Sequence, residues 1–281
     1  MNGADLSSNL IERVYRRVYT PTVRRAVRWF GVEPILHRAY WWVLSNTDDS
    51  RTVRIDDASA TLRTTSMSEF GIVRNTRGPE RPVYEDLIER LQPDDVFYDV
   101  GANIGLYTCL AGDVVRPGNV VAFEPYPPNA DRLAENLALN GQETRVYRYA
   151  LSDSREVVEL SVLDTSEPGS AEHSIEETYA KTDREVETIE VETVAGSTLI
   201  REENLPAPSV LKIDVEGAGP AVLDGLTPHL RSDDCRLVYC EPHDNAEALC
   251  ERLDAYGFEL EQIQLTGYRS DDEATIRATR P

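Results

Sequence analysis

The segment VFYDVGANIG, residues 96–105, reads as a buried strand that runs into a glycine turn and then a helix. Val96, Phe97 and Val100 supply the apolar strand, while Gly101 and Gly105 remove the side chains that would fill the turn. In open α/β sheets, ligands bind at the carboxyl ends of the strands, where glycines let backbone N–H groups approach them. Residues 104–115 continue as a helix, with Ile104, Cys109, Leu110 and Val114 among its apolar positions. A dinucleotide turn has the spacing G-x-G-x-x-G. Here Gly101 and Gly105 enclose Ala-Asn-Ile, and Asp99 lies inside the strand tip.

The next apolar run, NVVAFE (residues 119–124), ends in an acid 23 residues after Gly101, where a ribose would lie. Glu124 is therefore a candidate acceptor for both ribose hydroxyls. Pro125, Pro127 and Pro128 read as a proline turn, followed by a helix over 129–140 that Gly141 closes. A third run, VLKIDVEG (210–217), finishes with Asp214 and Glu216, which the two-residue period puts on one face. RLVYCEPH (236–243) repeats the arrangement with Glu241 and His243. Adjacent parallel strands lie about 4.8 Å apart, so these four titratable groups are expected to converge beside the crevice.

In this order, DVGANIG, AFEPYPPNADRLAENLALNG, ALSD and LKIDVEGA resemble the FkbM-type S-adenosylmethionine-dependent methyltransferases, over roughly residues 80–265. The resemblance implies an α/β, Rossmann-like class I methyltransferase fold: a mostly parallel seven-stranded sheet with one antiparallel strand. It implies S-adenosylmethionine as cofactor and O-methylation of a hydroxyl on a sugar, a glycan (lipid-linked glycans included) or a related small molecule. Asp99, Gly101, Asn103 and Gly105 would then surround the methionine end, and Glu124 would hold the ribose. Ser152 and Asp153 would follow the third strand beside the adenine, and Glu85 matches an acid that precedes the first strand. The sequence departs from the family twice. Gly219 and Pro220 stand where it continues with a glutamate, and TVAGSTLI from Thr193 lacks its Leu-Asp pair.

An alcohol is a poor nucleophile at neutral pH, so methyl transfer to one calls for a base within hydrogen-bond reach. His243 has a suitable intrinsic pKa, with Asp214 and Glu216 as rivals or as orienting groups. Two carboxylates and a histidine also suit a divalent ion, a use that activity retained after chelation would exclude; Cys109, Cys235, Cys240 and Cys250 show no metal-ligand spacing, and no residue is assigned to a metal. An NAD-dependent sugar oxidoreductase or epimerase would share the sheet and the Glu124 contact but should display G-x-G-x-x-G. An RNA (tRNA) methyltransferase is the other alternative.

Charge disfavours nucleic acid. The 281 residues carry a formal charge of −21, and residues 51–281 hold 22 basic against 45 acidic side chains, whereas a phosphate-tracking surface needs clustered Lys and Arg. Lys181 and Lys212 are the only lysines. High acid with retained arginine suggests a halophile's cytoplasm, where surface carboxylates keep a protein soluble.

A hydrophobic content of 41% supports one sizeable core: a methyltransferase domain over 51–281 after a basic amphipathic helical extension over 1–50. The extension holds seven arginines against five acids. Leu10, Ile11, Val14, Tyr15, Val18 and Tyr19 recur in it at helical spacing. Residues 10–45 have two open uses: peripheral contact with an anionic membrane, or packing against the sheet or a second subunit in a homo-oligomer. The start lacks the 7–15-residue apolar core of a signal peptide, so the expected location is the cytoplasm, including the inner membrane face. Residues 163–187 lose the apolar rhythm and read as a long loop, in which His173 and Ser174 are candidates to cap the acceptor pocket.

Overall fold

The computed structural model describes residues 49–163, 168–169, 173–174, 186–263 and 274–281. The amphipathic extension lies outside them, as does most of the long loop. Two strands open the described chain, β1 (Ser50–Ile55) and β2 (Ala58–Arg63), antiparallel across a turn in which Asp56 has φ +49°. Helices α1 (Met67–Asn75) and α2 (Arg81–Arg90) follow. A capping box sets the start of α1: the Ser66 hydroxyl accepts from Glu69 N, and the Glu69 carboxylate accepts from Ser66 N.

Four-residue apolar runs then form strands buried along their whole length, as strands covered on both faces must be. The first are β3 (Phe97–Val100) and β4 (Val120–Phe123), separated by α3 (Leu106–Val114). Helix α4 (Pro127–Asn140) follows β4 and ends at Gly141 with φ +64°. Pro127 and Pro128 form its first turn rather than a turn before it, because the first helical N–H groups need no intrahelical acceptor. Next come β5 (Arg145–Tyr147), β6 (Ala150–Ser152), β7 (Val157–Leu163), β8 (His173–Ser174) and β9 (Val186–Ala195). Helix α5 (Gly196–Glu202) leads to β10 (Val210–Ile213), and α6 (Gly219–Gly225) and α7 (Thr227–Leu230) lead to β11 (Leu237–Cys240). The chain closes with α8 (Ala246–Ala255), β12 (Glu259–Ile263) and β13 (Thr275–Thr279).

Seven strands form the main sheet in the order β12-β13-β11-β10-β3-β4-β5, with β13 alone antiparallel to its neighbours. This is the expected mostly parallel α/β architecture. A second sheet, β6-β9-β7-β8, was not anticipated. Tyr147 ends the third strand of the main sheet, and Ser152 ends a strand of the second one, so Ser152 and Asp153 do not follow the third strand directly. No helix among the described residues is long and apolar enough to cross a membrane.

The β1–β2 hairpin is fixed to α4 through two asparagines, one of which also reaches the turn before α3. Asn140 accepts from Thr61 N and donates to Thr61 O, both at 2.8 Å. The fully buried Asn136 accepts from Arg63 N at 2.8 Å and donates to Ile104 O at 2.7 Å. Asn136→Ala leaves a buried N–H and a buried C=O unpaired, and we expect a loss of about 2–4 kcal/mol. Urea unfolding measures it; an unchanged midpoint would show that the hairpin is not held this way.

Candidate functional site

Strand order reverses at β3, which pairs with β4 on one side and β10 on the other. Crevices form at such switch points, outside the carboxyl ends of the strands. A cavity of about 250 Å³ lies there, with the glycine turn, Glu124, Lys212, Asp214, Glu241 and His243 in its lining.

The turn follows from its residues. Gly101 (φ +75°), Asn103 (φ +51°) and Gly105 (φ +87°) all have left-handed backbones. Gly101 N donates to Phe123 O at 3.0 Å, which holds the tip of β3 against β4. A Cβ on Gly101 would stand 1.9 Å from the Asp214 carbonyl oxygen, so the two strand tips meet only because that position is glycine. Glu124 completes this side. Its carboxylate accepts from Asn103 N at 2.7 Å and Tyr126 N at 2.9 Å, and it is 5% exposed. Burial raises its pKa to about 7, against the two backbone N–H groups and Lys212, which lower it.

Asp99 sits differently from the expectation. It is fully buried behind the turn, accepts from Thr108 Oγ1 at 2.5 Å, lies 3.2 Å from Lys212 Nζ, and is not among the cavity-lining residues. Sequence reasoning assigned Lys212 no role, yet it ties the site together. It is the direct register partner of Asp99 across β3–β10, donates to Gly101 O at 2.9 Å and lies 3.4 Å from Asp214 Oδ2. Its ammonium also stands 5.0 Å over the Tyr107 ring. Burial lowers its pKa, but Asp99, Asp214 and Glu241 outweigh that and hold it above the usual lysine value. The signal was a lysine in the middle of an apolar strand, in a chain with only two lysines.

Asp214, Glu216, Glu241 and His243 converge at the far side of the cavity. His243 Nε2 is 2.9 Å from Asp214 Oδ1 and 3.7 Å from Glu241 Oε2, and Nδ1 is 3.5 Å from Glu216 Oε1. Burial would lower the pKa of His243, but the bond to Asp214 and the charges of Asp214, Glu216 and Glu241 outweigh it and raise the value to about 9. Burial would raise Asp214, yet Lys212 and His243 hold it well below the usual carboxylate range. Glu241 is pushed up to about 8 by burial and by Asp214, against His243 and Lys212.

Besides Asp99, four predicted residues do not line the cavity: Gly105, Glu85, Ser152 and Asp153. Glu85 pairs with Arg81 at 2.7 Å on the outer side of α2, and neither Ser152 nor Asp153 lines the crevice. The acid that α2 brings to the cavity is Glu80, just before its first turn, which accepts from Tyr84 Oη at 2.7 Å and Asn75 Nδ2 at 2.9 Å. Leu151 and Leu160 of the second sheet supply apolar wall. His173 and Ser174 pair with β7 through their backbones, and their side chains lie outside the described residues.

The sequence profile of the family described as Methyltransferase FkbM domain matches residues 99–269. Hexuronic acid methyltransferase AglP of Haloferax volcanii is 32% identical over 217 residues, covering 75% of this chain and 85% of that protein. The 31-O-demethyl-FK506 methyltransferase FkbM of Streptomyces tacrolimicus is 31% identical over 188 residues, 57% of this chain and 70% of that protein. A crystal structure of methyltransferase FkbM from Methylobacillus flagellatus KT is 12% identical with a TM-score of 0.48, covering 75% of this chain and 53% of that one.

Proposed function

The chain belongs to the FkbM methyltransferase family, and from that premise we propose that it is an S-adenosylmethionine-dependent O-methyltransferase acting on a hydroxyl of a sugar or glycan. The observation that carries this reading is Glu124: a buried carboxylate fixed by two backbone N–H groups at the tip of β4, facing a turn whose glycines keep the cavity open. Each oxygen retains a lone pair for a ribose hydroxyl. An acid-rich lining, with Glu80, Asp214, Glu216 and Glu241 beside Glu124, suits a cationic donor.

The cofactor supplies an electrophilic methyl group on a sulfonium. The protein's part is to bind and align. Glu124 and the backbone of the glycine turn hold the donor. Lys212 fixes the turn against Asp214. Asp214, Glu241 and His243 face the acceptor side, and the imidazole takes the hydroxyl proton in its neutral form, which the carboxylates around it make scarce below about pH 9. A hexuronic acid, the acceptor class in the name of one relative, offers both hydroxyls and a carboxylate. The acidic wall repels a free carboxylate and favours a hydroxyl as the methylated oxygen. Incubation with methyl-labelled S-adenosylmethionine and lipid-linked glycans, with or without hexuronic acid, tests this reading: label should enter a base-stable ether. Label in a base-labile ester would overturn the hydroxyl assignment, and no transfer to any glycan would overturn the acceptor class.

Glu124 makes cofactor affinity depend on pH. Its carboxylate is the acceptor, so protonation removes the interaction, and because its pKa lies at about 7 the loss begins near neutrality. Affinity for S-adenosylmethionine should fall as pH drops from 8 to 6, by up to about tenfold per pH unit below the pKa. In Glu124→Gln the affinity should be weaker at pH 8 and nearly flat over this range. An equally steep dependence in that variant would assign the titration to another group.

A further inference from the structure

We propose that Asp214, Glu241 and His243 form a binding site for one divalent cation of the Mg²⁺/Mn²⁺ class. Their ligand atoms all lie within 4.8 Å of one another. His243 Nε2 stands 2.9 Å from Asp214 Oδ1 and 3.7 Å from Glu241 Oε2. Neighbouring ligands of an octahedral ion with bonds near 2.1 Å are separated by about 3 Å, so small side-chain rotations bring three donors onto one face of such an ion. The two carboxylates supply the oxygens that suit Mg²⁺ and Mn²⁺, and the imidazole adds a nitrogen that favours Mn²⁺ over the harder Mg²⁺.

The second ring nitrogen has a carboxylate within ion-pair reach, though not hydrogen bonded to it. His243 Nδ1 lies 3.5 Å from Glu216 Oε1. Metal-bound histidines commonly donate their other N–H to a carboxylate, which fixes the tautomer and aims the ligating nitrogen. The backbone carries the same arrangement: Asp214 and Glu241 directly follow β10 and β11, whose parallel register is continuous from Val210↔Leu237 to Ile213↔Cys240. Charge points the same way. Asp214, Glu216 and Glu241 surround the imidazole, and the nearest ammonium, Lys212, is shared with Asp99. Among the described residues, the one ionic contact of Glu241 is His243. A dication displaces the Nε2 proton as it binds; with the ion in place, His243 acts on the acceptor as the ion's ligand rather than as the base.

All three ligands line the cavity, so the remaining coordination positions open into it. Two adjacent oxygens of a sugar would chelate there and present one of them to the methyl donor. This last clause rests on the methyltransferase reading; the ion site does not.

The test is a titration of the full chain with Mn²⁺ in 2 M KCl, which screens the acidic surface, followed by electron paramagnetic resonance. One Mn²⁺ per chain is expected, competed by Mg²⁺. Its affinity should fall at least ~10-fold in Glu241→Gln and in His243→Gln and stay unchanged in Glu251→Gln, an exposed acid on α8. S-adenosylmethionine binding, measured in parallel, reports folding and the cofactor site in each variant. No binding above the level seen with excess Ca²⁺, or equal binding in both ligand variants, overturns the proposal. Mn²⁺ binding without S-adenosylmethionine binding would leave the ion site standing and overturn the cofactor reading.

Discussion

Replacing Gly101 with alanine is expected to destabilise the protein by more than about 3 kcal/mol and to abolish cofactor binding. Two costs combine. The backbone is left-handed at φ +75°, a conformation that costs an L side chain roughly 1–2 kcal/mol. The new Cβ would also stand 1.9 Å from the Asp214 carbonyl oxygen, which is backbone and cannot rotate aside. Relief would require the β3 and β10 tips to part, breaking the Lys212–Gly101 bond and moving Asp214. Gly118 provides the comparison. It is also left-handed, at φ +84°, but a Cβ there meets nothing within 4 Å. Gly118→Ala should therefore lose only the backbone part, about 1–2 kcal/mol, and keep cofactor affinity. Equal losses in the two variants, measured by denaturant unfolding, would show that the close approach of the strand tips is not what requires glycine.

His243→Ala is expected to lower turnover at least ~100-fold, the usual size of acid–base contributions, with S-adenosylmethionine affinity changed less than about twofold. The imidazole joins Asp214, Glu216 and Glu241 on the acceptor side, whereas the donor-side contacts come from Glu124 and the glycine turn. A loss confined to turnover separates the two halves of the cleft. Single-turnover transfer to the glycan pool labelled by the unaltered protein gives the rate, and calorimetry gives the affinity. Near-normal turnover would remove His243 from the chemistry; a matching loss of cofactor affinity would place it in the donor half.

What was legible in the sequence had local causes. VFYDVGANIG announces a strand, a turn and a helix because apolar run, glycines and helical period are contiguous, and Glu124 is readable because an acid ends the next apolar run. Asp214, Glu216, Glu241 and His243 share strand tips, so the two-residue period brings them together. The rest depended on contacts between distant segments. Lys212 meets Asp99 through strand register although the two are 113 positions apart, and spacing along one strand says nothing of its neighbour. The same pairing draws Asp99 behind the turn, although its position in the motif suggested cofactor contact. The resemblance put Ser152 directly after the third strand, whereas β5 and β6, only two residues apart, belong to different sheets. Glu80 and Glu85 flank the same helix segment, and only packing decides which one faces the cavity.

Calorimetric titration of the protein with S-adenosylmethionine, beside the same titration with NAD, tests the central claim most directly. The account predicts stoichiometric binding of S-adenosylmethionine, weakened at least ~10-fold in Glu124→Ala by loss of charge-assisted hydrogen bonds, and no binding of NAD. Binding of NAD in preference to S-adenosylmethionine, or S-adenosylmethionine affinity indifferent to Glu124→Ala, would contradict it.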